Sequence, residues 1–166
     1  DRFMNRNFLF NYHYAWGRTL DTEEVVGMTS RSPRYYVCAA YWDRDAMLWS
    51  FPALLDPDPA LARAALDHAL TVQARNAGIH SRFVDGNVLE DGFQLDEACG
   101  PLLAAAAYAA RTRDLAFLRG RRAALDGLED GLLARRDAAA GLFSTIEDSQ
   151  DEFIAEPFFT YANVLV

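Results

Sequence analysis

The sequence predicts an all-α fold, in which antiparallel helical hairpins form about half of an α-helical toroid. Two observations lead to this prediction. Apolar residues recur at helical spacing in six segments of the 166-residue chain. Long and short connections alternate between these segments, so every long connection falls at the same end of an up-and-down array. We treat residues 1–166 as a single domain. Because the chain stops at Val166 inside an apolar stretch, we expect a fragment of a larger domain.

The first half of the chain contains three predicted helices. Helical periodicity indicates a first helix over residues 3–16, which is followed by a long loop that passes through Pro33. A second helix is predicted over residues 43–54. Asp58 is the expected N-cap of a third helix over residues 59–76, because a capping side chain there precedes a proline at the first helical position.

The second half continues the same alternation. A long loop over residues 79–95 leads to a fourth helix over residues 96–111, which is apolar on nearly every side and is therefore expected to be buried all round. After a tight turn, a fifth helix ends near Arg136. Three glycines interrupt or weaken it: Gly120, Gly127 and Gly131. A third long loop over residues 137–156 precedes a last helix that begins at Pro157.

Composition excludes several classes of protein. The net charge of −8 and the pI near 4.8 argue against a nucleic-acid partner, which needs a concentrated basic surface. No apolar run approaches the roughly 18–20 residues of a membrane span. No dinucleotide-binding, phosphate-binding or metal-ligand motif is present, so we expect no cofactor and no metal. With no signal-peptide pattern, a cytoplasmic location is expected. The oligomeric state is left open.

The most informative segment is residues 41–52. Asp43, Arg44 and Asp45 stand between Trp42 and Trp49. Flat aromatic faces stack on the apolar faces of sugar rings, while Asp and Arg make paired hydrogen bonds to adjacent hydroxyl groups. The alternative is an ordinary helix start, in which one aspartate caps the helix and both tryptophans fill the core. Composition alone favours the alternative.

A second informative segment covers residues 92–101. Phe93 leads to Asp96 and Glu97 at the mouth of the very apolar fourth helix. Hydrolysis of a glycosidic bond needs a carboxylic acid beside the bond and a second carboxylate. Desolvation at this position could raise one pKa into the general-acid range, whereas the helix dipole favours the ionised form. A simple N-cap pair is again the alternative.

The third segment, residues 144–152, carries four acidic side chains. They could include a catalytic base or a cation site, although the segment lacks the glycine and the ligand alternation of a calcium loop. A solvated acidic loop is the commoner meaning of such a segment. His80 opens the second long loop and could reach the same rim, where a polysaccharide lyase would use it as a base. A structural role is the alternative for His80.

Taken together, the segments Trp42–Asp45 and Phe93–Pro101 resemble the six-hairpin glycosidases of the (α/α)6-barrel class. Glycoside hydrolase family 125, the metal-independent exo-α-mannosidases, is the most similar, and family 15 glucoamylases share the first motif more loosely. The resemblance covers mainly residues 41–111. Such a barrel has twelve helices, about twice the number predicted here, so the resemblance implies a partial (α/α)6 toroid that is inactive alone and belongs to a larger glycoside hydrolase.

The resemblance also implies roles for single residues. Arg44 and Asp45 would bind the terminal sugar, and Asp96 would be the general acid. Glu97 replaces a small polar residue of the family and is a candidate to share or take the role of the acid, while the family's base would lie beyond Val166. The predicted catalytic residues are therefore Asp96 and Glu97. The predicted sugar contacts are Trp42, Asp43, Arg44, Asp45, Trp49 and Phe93.

The predicted function is exo-acting, inverting hydrolysis of α-linked hexosides, either mannosides or glucosides. The partner would be an oligosaccharide or a glycoside. A non-catalytic carbohydrate-binding or regulatory helical domain is the second hypothesis, because it needs the same rim but no paired base.

Overall fold

The fold is mixed α and β in a computed structural model that describes residues 1–28 and 40–166. These residues contain seven α-helices and two separate antiparallel β-hairpins. The prediction of an all-α chain is therefore wrong, and so is the half-toroid of helical hairpins. Pro33, which was expected in the first long loop, lies outside the described residues.

The first hairpin lies within the predicted first long loop. Helix α1 (Arg2–Tyr14) is capped by Asp1, whose carboxylate accepts hydrogen bonds from the first-turn backbone amides. Strands β1 (Trp16–Arg18) and β2 (Val25–Gly27) follow and pair antiparallel. Two strands of three residues are too short to produce an alternating pattern in the sequence, so periodicity did not reveal them.

The segment predicted as the second helix is helical, but most of it is not α-helix. Residues Arg44–Ser50 form a π-helix, which continues directly into α2 (Phe51–Leu55). Short π-helical segments are rare and occur frequently at functional sites, because the extra residue per turn re-aims side chains. Hydrophobic periodicity could not distinguish the π-helix from an α-helix over so few residues.

The predicted start of the third helix is confirmed. The Asp58 carboxylate accepts a hydrogen bond of 2.9 Å from the backbone amide of Leu61, and Pro59 is the first residue of α3 (Pro59–His68). The helix then changes to π-helical and 3₁₀ geometry over Ala69–Gln73 and Ala74–Asn76. The predicted end near Asn76 is also confirmed.

The second hairpin lies where a long loop was predicted. Strands β3 (Ile79–Arg82) and β4 (Val88–Phe93) pair antiparallel with irregular register. Strand β4 carries Glu90, Asp91 and a glycine, so its sequence resembles a polar loop more than a half-buried strand.

Four helices complete the fold. They are α4 (Leu95–Thr112), α5 (Leu115–Gly120), α6 (Arg122–Leu133) and α7 (Thr160–Leu165). The break after Gly120 agrees with the predicted interruption of the fifth helix. The last helix starts later than the predicted Pro157, and no helix of the described residues is long and apolar enough to cross a membrane.

Helix α4 lies at the centre of the fold, packed against the π-helix, α3, α6 and α7. Its residues from Leu95 to Pro101 are all buried, whereas Leu103 is exposed, so the expected burial on all sides holds only for the first two turns. Gly100 allows a close approach of α4 to the π-helix, because a Cβ atom there would lie 2.8 Å from the carbonyl oxygen of Asp43. This contact brings the start of α4 against the start of the π-helix.

Replacing Gly127 or Gly131 with alanine should stabilise the protein. Both lie in α6, where an added Cβ would meet no atom within 4 Å, and alanine in a helix is favoured over glycine by about 0.5–1 kcal/mol. The measurement is the free energy of unfolding in urea. As the opposite control, Gly92→Ala should destabilise, because Gly92 has φ +139° and its Cβ would overlap the Glu147 carboxylate. Equal effects from the two helix variants and the control would contradict this account.

Candidate functional site

Charged side chains are buried where the starts of the π-helix and α4 meet. Asp43, Arg44, Asp96 and Glu97 are each 3% exposed or less. Burying an ionised group costs several kcal/mol unless it is paired and hydrogen-bonded. The packing of the whole junction therefore depends on how these charges are matched.

Asp43 is matched by Arg82, which enters the junction from β3. Arg82 donates a hydrogen bond of 2.6 Å to Asp43 Oδ2, and the Tyr41 hydroxyl donates one of 2.8 Å to Oδ1. The other arm of Arg82 donates to the backbone carbonyls of Gln73 and Asn76. Burial alone would lower the pKa of Arg82, but the Asp43 carboxylate raises it above its ordinary value. Asp43, predicted as a sugar contact, thus lies behind the surface in an internal ion pair.

Glu97 is the most enclosed acid of the junction. Its Oε2 accepts a hydrogen bond of 3.0 Å from the backbone amide of Arg44 and lies 3.8 Å from Arg82 Nη2. Burial raises the pKa of Glu97 well above its ordinary value, and the neighbouring Asp43 charge raises it further. The side chain is 0% exposed, and the hydrogen bond that it accepts from the Arg44 amide holds the first turn of the π-helix against α4.

The guanidinium of Arg44 lies at the centre of the site and contacts several of its side chains. Nη1 donates a hydrogen bond of 2.7 Å to Gln94 Oε1, and Nη2 donates one of 2.9 Å to Asp151 Oδ1. Asp96 Oδ2 lies 3.5 Å from Nη1, and Asp45 Oδ2 lies 3.5 Å from Nε. Burial alone would lower the pKa of Arg44, but the surrounding carboxylates raise it. The structure thus brings Arg44, Asp45 and Asp96 together around one cation.

The three predicted aromatic contacts differ in position. Trp49 is 52% exposed, and the Arg44 guanidinium lies 5.3 Å from its ring centroid, so a flat face borders the site. Trp42 is half-buried, with its ring 6.4 Å from that of His80. Phe93 is only 7% exposed and packs within a hydrophobic cluster. Trp49 is the aromatic side chain best placed to stack on a ligand.

Sequence reasoning named His80 as a side chain that could reach this rim, but it missed Gln94, which joins the junction to the acidic loop. Gln94 Nε2 donates hydrogen bonds of 3.0 Å to Glu147 Oε2 and 2.8 Å to Asp151 Oδ1. His80 Nδ1 lies 2.8 Å from the same Glu147 oxygen. The acidic composition of residues 144–152 was the signal for the loop, but nothing in the sequence identified which acid contacts Arg44.

Thr145 fixes the position of that loop. Its Oγ1 accepts a hydrogen bond of 3.1 Å from the backbone amide of Leu95 and lies within hydrogen-bond distance of two backbone carbonyls, those of Phe93 and Glu147. The backbone amides of Ile146 and Glu147 donate to the Phe93 carbonyl. The acidic loop is therefore tied to the residues that immediately precede α4.

Three carboxyl groups around Arg44 differ in proton affinity. Burial raises the pKa of Asp45 to about 6, and the nearby Asp151 charge adds to this effect. Burial also raises the pKa of Asp96, against the opposing Arg44 charge. Burial alone would raise the pKa of Asp151 too, but hydrogen bonds from Arg44 and Gln94 lower it below the ordinary value. The site thus combines proton-holding acids with one acid that stays ionised.

Several buried polar atoms at the site have no hydrogen-bond partner within residues 1–28 and 40–166. Two of them are Asp96 Oδ2 and Arg44 Nε, and three further site residues have such an atom as well: Trp42 Nε1, Arg82 Nε and Glu97 Oε1. Asp96 Oδ1, by contrast, accepts a hydrogen bond of 3.1 Å from the backbone amide of Glu97. Unsatisfied buried groups are uncommon in proteins and indicate a site that needs a further partner. In this part of the chain, no group of three His, Cys, Asp or Glu residues is arranged to hold a metal ion.

Breaking the buried ion pair should be far more costly than breaking an exposed one. Arg82→Met leaves Asp43 uncompensated in the interior, which should cost about 3–5 kcal/mol. The control Arg121→Met, which removes a half-exposed pair with Asp67, should cost less than about 1 kcal/mol. Urea unfolding measures both. A similar loss of unfolding free energy in the two variants would contradict the proposed importance of the buried pair.

Asp45 should make stability fall as pH rises. Its folded pKa of about 6 exceeds the ordinary 3.8, so the folded state binds the proton more tightly, and this stabilisation is lost as pH rises through that range. Between about pH 4 and pH 7, the wild type should lose up to about 3 kcal/mol more unfolding free energy than Asp45→Asn. Asp91→Asn, at an exposed position, is the control and should follow the wild type. Parallel pH curves for all three proteins would refute the shift.

No family model, no curated protein and no solved structure matches this chain. The resemblance to six-hairpin glycosidases rests on the segments Trp42–Asp45 and Phe93–Pro101 alone. What the site can do chemically depends on its own contacts, burial and charges.

Proposed function

We propose that this site belongs to an exo-acting, inverting glycoside hydrolase for α-linked mannosides or glucosides, with Asp96 as the general acid. One observation carries the proposal. Asp96 is a buried carboxyl group with a raised pKa, and its Oδ2 has no hydrogen-bond donor in the described part of the chain. A general acid of a glycosidase requires such a proton-holding carboxyl group beside the scissile bond.

The two oxygens of Asp96 differ in what they can do. Oδ1 accepts a hydrogen bond from the Glu97 backbone amide, so the proton belongs on Oδ2. When the bond between the anomeric carbon and the leaving-group oxygen breaks, Oδ2–H transfers its proton to that oxygen. Asp96 then becomes a carboxylate, and Arg44 Nη1 at 3.5 Å stabilises the new negative charge.

Three neighbours of Asp96 suit the recognition of a sugar. Trp49 offers an exposed aromatic face, and Asp45, whose side chain is 28% exposed, can accept or donate a hydrogen bond to a hydroxyl group. Arg44 lies between them, 5.3 Å from the Trp49 ring. The resemblance implies that Arg44 and Asp45 bind the terminal sugar, and their positions beside Trp49 support a sugar as the ligand class.

Glu97 fits a positioning role better than a catalytic one. It is fully buried and accepts the backbone amide of Arg44, so it acts on substrate only through Arg44. Asp43 is similarly occupied by Arg82 and Tyr41. We therefore propose Asp96 alone as the acid, with Glu97 and Asp43 fixing the frame that holds Arg44.

The second candidate function is non-catalytic sugar binding, and the burial of Asp96 favours it. The side chain is only 1% exposed, so a glycosidic oxygen reaches Oδ2 only if the groups that cover it move aside. A protein that only binds sugar would need Trp49 and Asp45 but no such movement.

Asp96→Asn should separate the two functions. With phenyl α-mannoside or α-glucoside and the intact protein, the variant should lower kcat by about 10²–10⁴-fold, because the phenolate leaving group needs a proton. With the 2,4-dinitrophenyl glycosides the loss should be much smaller, because that leaving group needs none. Asp91→Asn is the exposed control and should retain the wild-type kcat.

Two outcomes would contradict parts of this proposal. Full activity of Asp96→Asn on the phenyl glycosides would exclude Asp96 as the acid. Calorimetric binding of methyl α-mannoside or α-glucoside to the wild type without any turnover of aryl glycosides would favour the non-catalytic function.

A further inference from the structure

We infer that Asp151 is the second catalytic carboxylate of this site, the general base that activates the attacking water. The inference rests on the proposed hydrolase and deepens it, because the acid alone cannot complete an inverting reaction. It departs from the family resemblance, which implies a base beyond Val166. It starts from the contact between the acidic loop and Arg44.

Asp96 and Asp151 occupy the two arms of the same guanidinium. Asp96 Oδ2 lies 3.5 Å from Arg44 Nη1, and Asp151 Oδ1 lies 2.9 Å from Nη2. Because both oxygens contact the same guanidinium, the distance between them cannot exceed the sum of the two contact distances and the width of the head group. This maximum lies below the upper end of the range for inverting glycosidases, in which acid and base are about 6.5–9.5 Å apart.

Asp151 is the most solvent-exposed of the acids around Arg44, which favours it as the base. The side chain of Asp151 is 39% exposed and that of Asp45 is 28% exposed, whereas Asp96 and Glu97 are buried. A water molecule can therefore reach Asp151. Within the described residues, the hydrogen bonds to the Asp151 carboxylate all go to Oδ1, which leaves Oδ2 available to accept a proton from water.

The ionisation state of the acids around Arg44 also favours Asp151 as the base. Two donors, Arg44 Nη2 and Gln94 Nε2, converge on Asp151 Oδ1 and stabilise the ionised form that a base requires. Asp45 has no such pair of donors, and its burial favours the protonated form. A site in which neighbouring carboxyl groups have pKa values shifted in opposite directions is the usual arrangement of an acid and a base.

The local backbone holds Asp151 in an unusual conformation. Its φ of +67° lies in the left-handed region, which non-glycine residues rarely adopt. The Asp148 carboxylate accepts hydrogen bonds from the amides of Gln150 and Glu152, which closes the turn around Asp151. Strain of this kind is concentrated at functional sites, where the surroundings determine the conformation.

The unsatisfied atoms that support Asp96 as the acid also lie close to Asp151. Asp96 Oδ2 and Arg44 Nε are buried and have no hydrogen-bond partner in the described part of the chain. Arg44 contacts Asp151 directly, and Asp96 Oδ2 lies 3.5 Å from Arg44 Nη1. The acidic cluster therefore has open hydrogen-bonding capacity at the point where a sugar oxygen would have to lie.

The proposed step is a balanced hydrolysis. Asp151 takes a proton from water as the water oxygen bonds to the anomeric carbon. The bond from that carbon to the leaving-group oxygen breaks, and its electron pair stays on the oxygen, which receives the proton of Asp96. The product is the free sugar of inverted configuration, and exchange with solvent restores both carboxyl groups.

Asp151→Gly is the sharpest test, because glycine adopts the left-handed conformation without strain and leaves space for a small anion. With 2,4-dinitrophenyl α-glycosides the variant should lower kcat by about 10²–10⁴-fold. With the α-glycosyl fluoride, sodium azide should restore turnover and form the β-glycosyl azide, since azide displaces fluoride without a base. The matched control is Glu152→Gln in the same turn, which should retain wild-type kcat and show no azide effect.

The outcomes separate the two proposals. A wild-type protein that hydrolyses none of the α-mannosides or α-glucosides overturns both the hydrolase and the role of Asp151. A wild type that hydrolyses them together with an Asp151→Gly variant that retains its kcat overturns only the base assignment. Loss of kcat without azide rescue also overturns it, because that pattern indicates a residue that only positions Arg44.

Discussion

The Arg44 guanidinium is the interaction on which the rest of the site depends. It is almost wholly buried, and it touches groups from three parts of the chain: Gln94 and Asp96 at the start of α4, Asp45 on its own helix, and Asp151 in the acidic loop. An unpaired charge at this depth would cost several kcal/mol, so the three segments are stable together only when the cation is present. Planar geometry and permanent charge suit arginine to this task, and lysine would not replace it.

Around this cation the acids outnumber the bases, and the excess has a physical consequence. Coulombic repulsion among closely spaced carboxylates adds to the cost of burial, so some of the carboxyl groups retain protons. Asp45 and Glu97 follow this rule, whereas Asp151 escapes it because two donors converge on one of its oxygens. Below about pH 6 the site thereby holds the protonated Asp45 and the ionised Asp151 side by side. That division of roles arises from contacts and burial, since all the groups are chemically alike.

The predicted fold class is wrong, whereas several of the predicted site residues lie together in the structure. Helical periodicity located α3 and its Asp58 cap, and residue type identified Arg44, Asp45 and Asp96, which the structure brings together. The hairpins were missed, because their strands are short and β4 carries charges and a glycine where alternation would have revealed a strand. Asp151 and Arg82 were not singled out, because their importance comes from partners 107 and 39 residues away in the chain. Local sequence patterns do not show which distant residues contact each other in the fold.

The close approach of Gly100 to Asp43 has a consequence for how this protein can change over evolution. The contact is made by main-chain atoms, so the spacing between the two halves of the site does not depend on any rotamer. Side chains at the rim, such as Trp49 and Asp45, can therefore be exchanged one at a time while the frame stays intact. Selection for a new ligand would be expected to alter these rim positions first. Gly100 itself should tolerate almost no substitution, whatever the protein is selected to recognise.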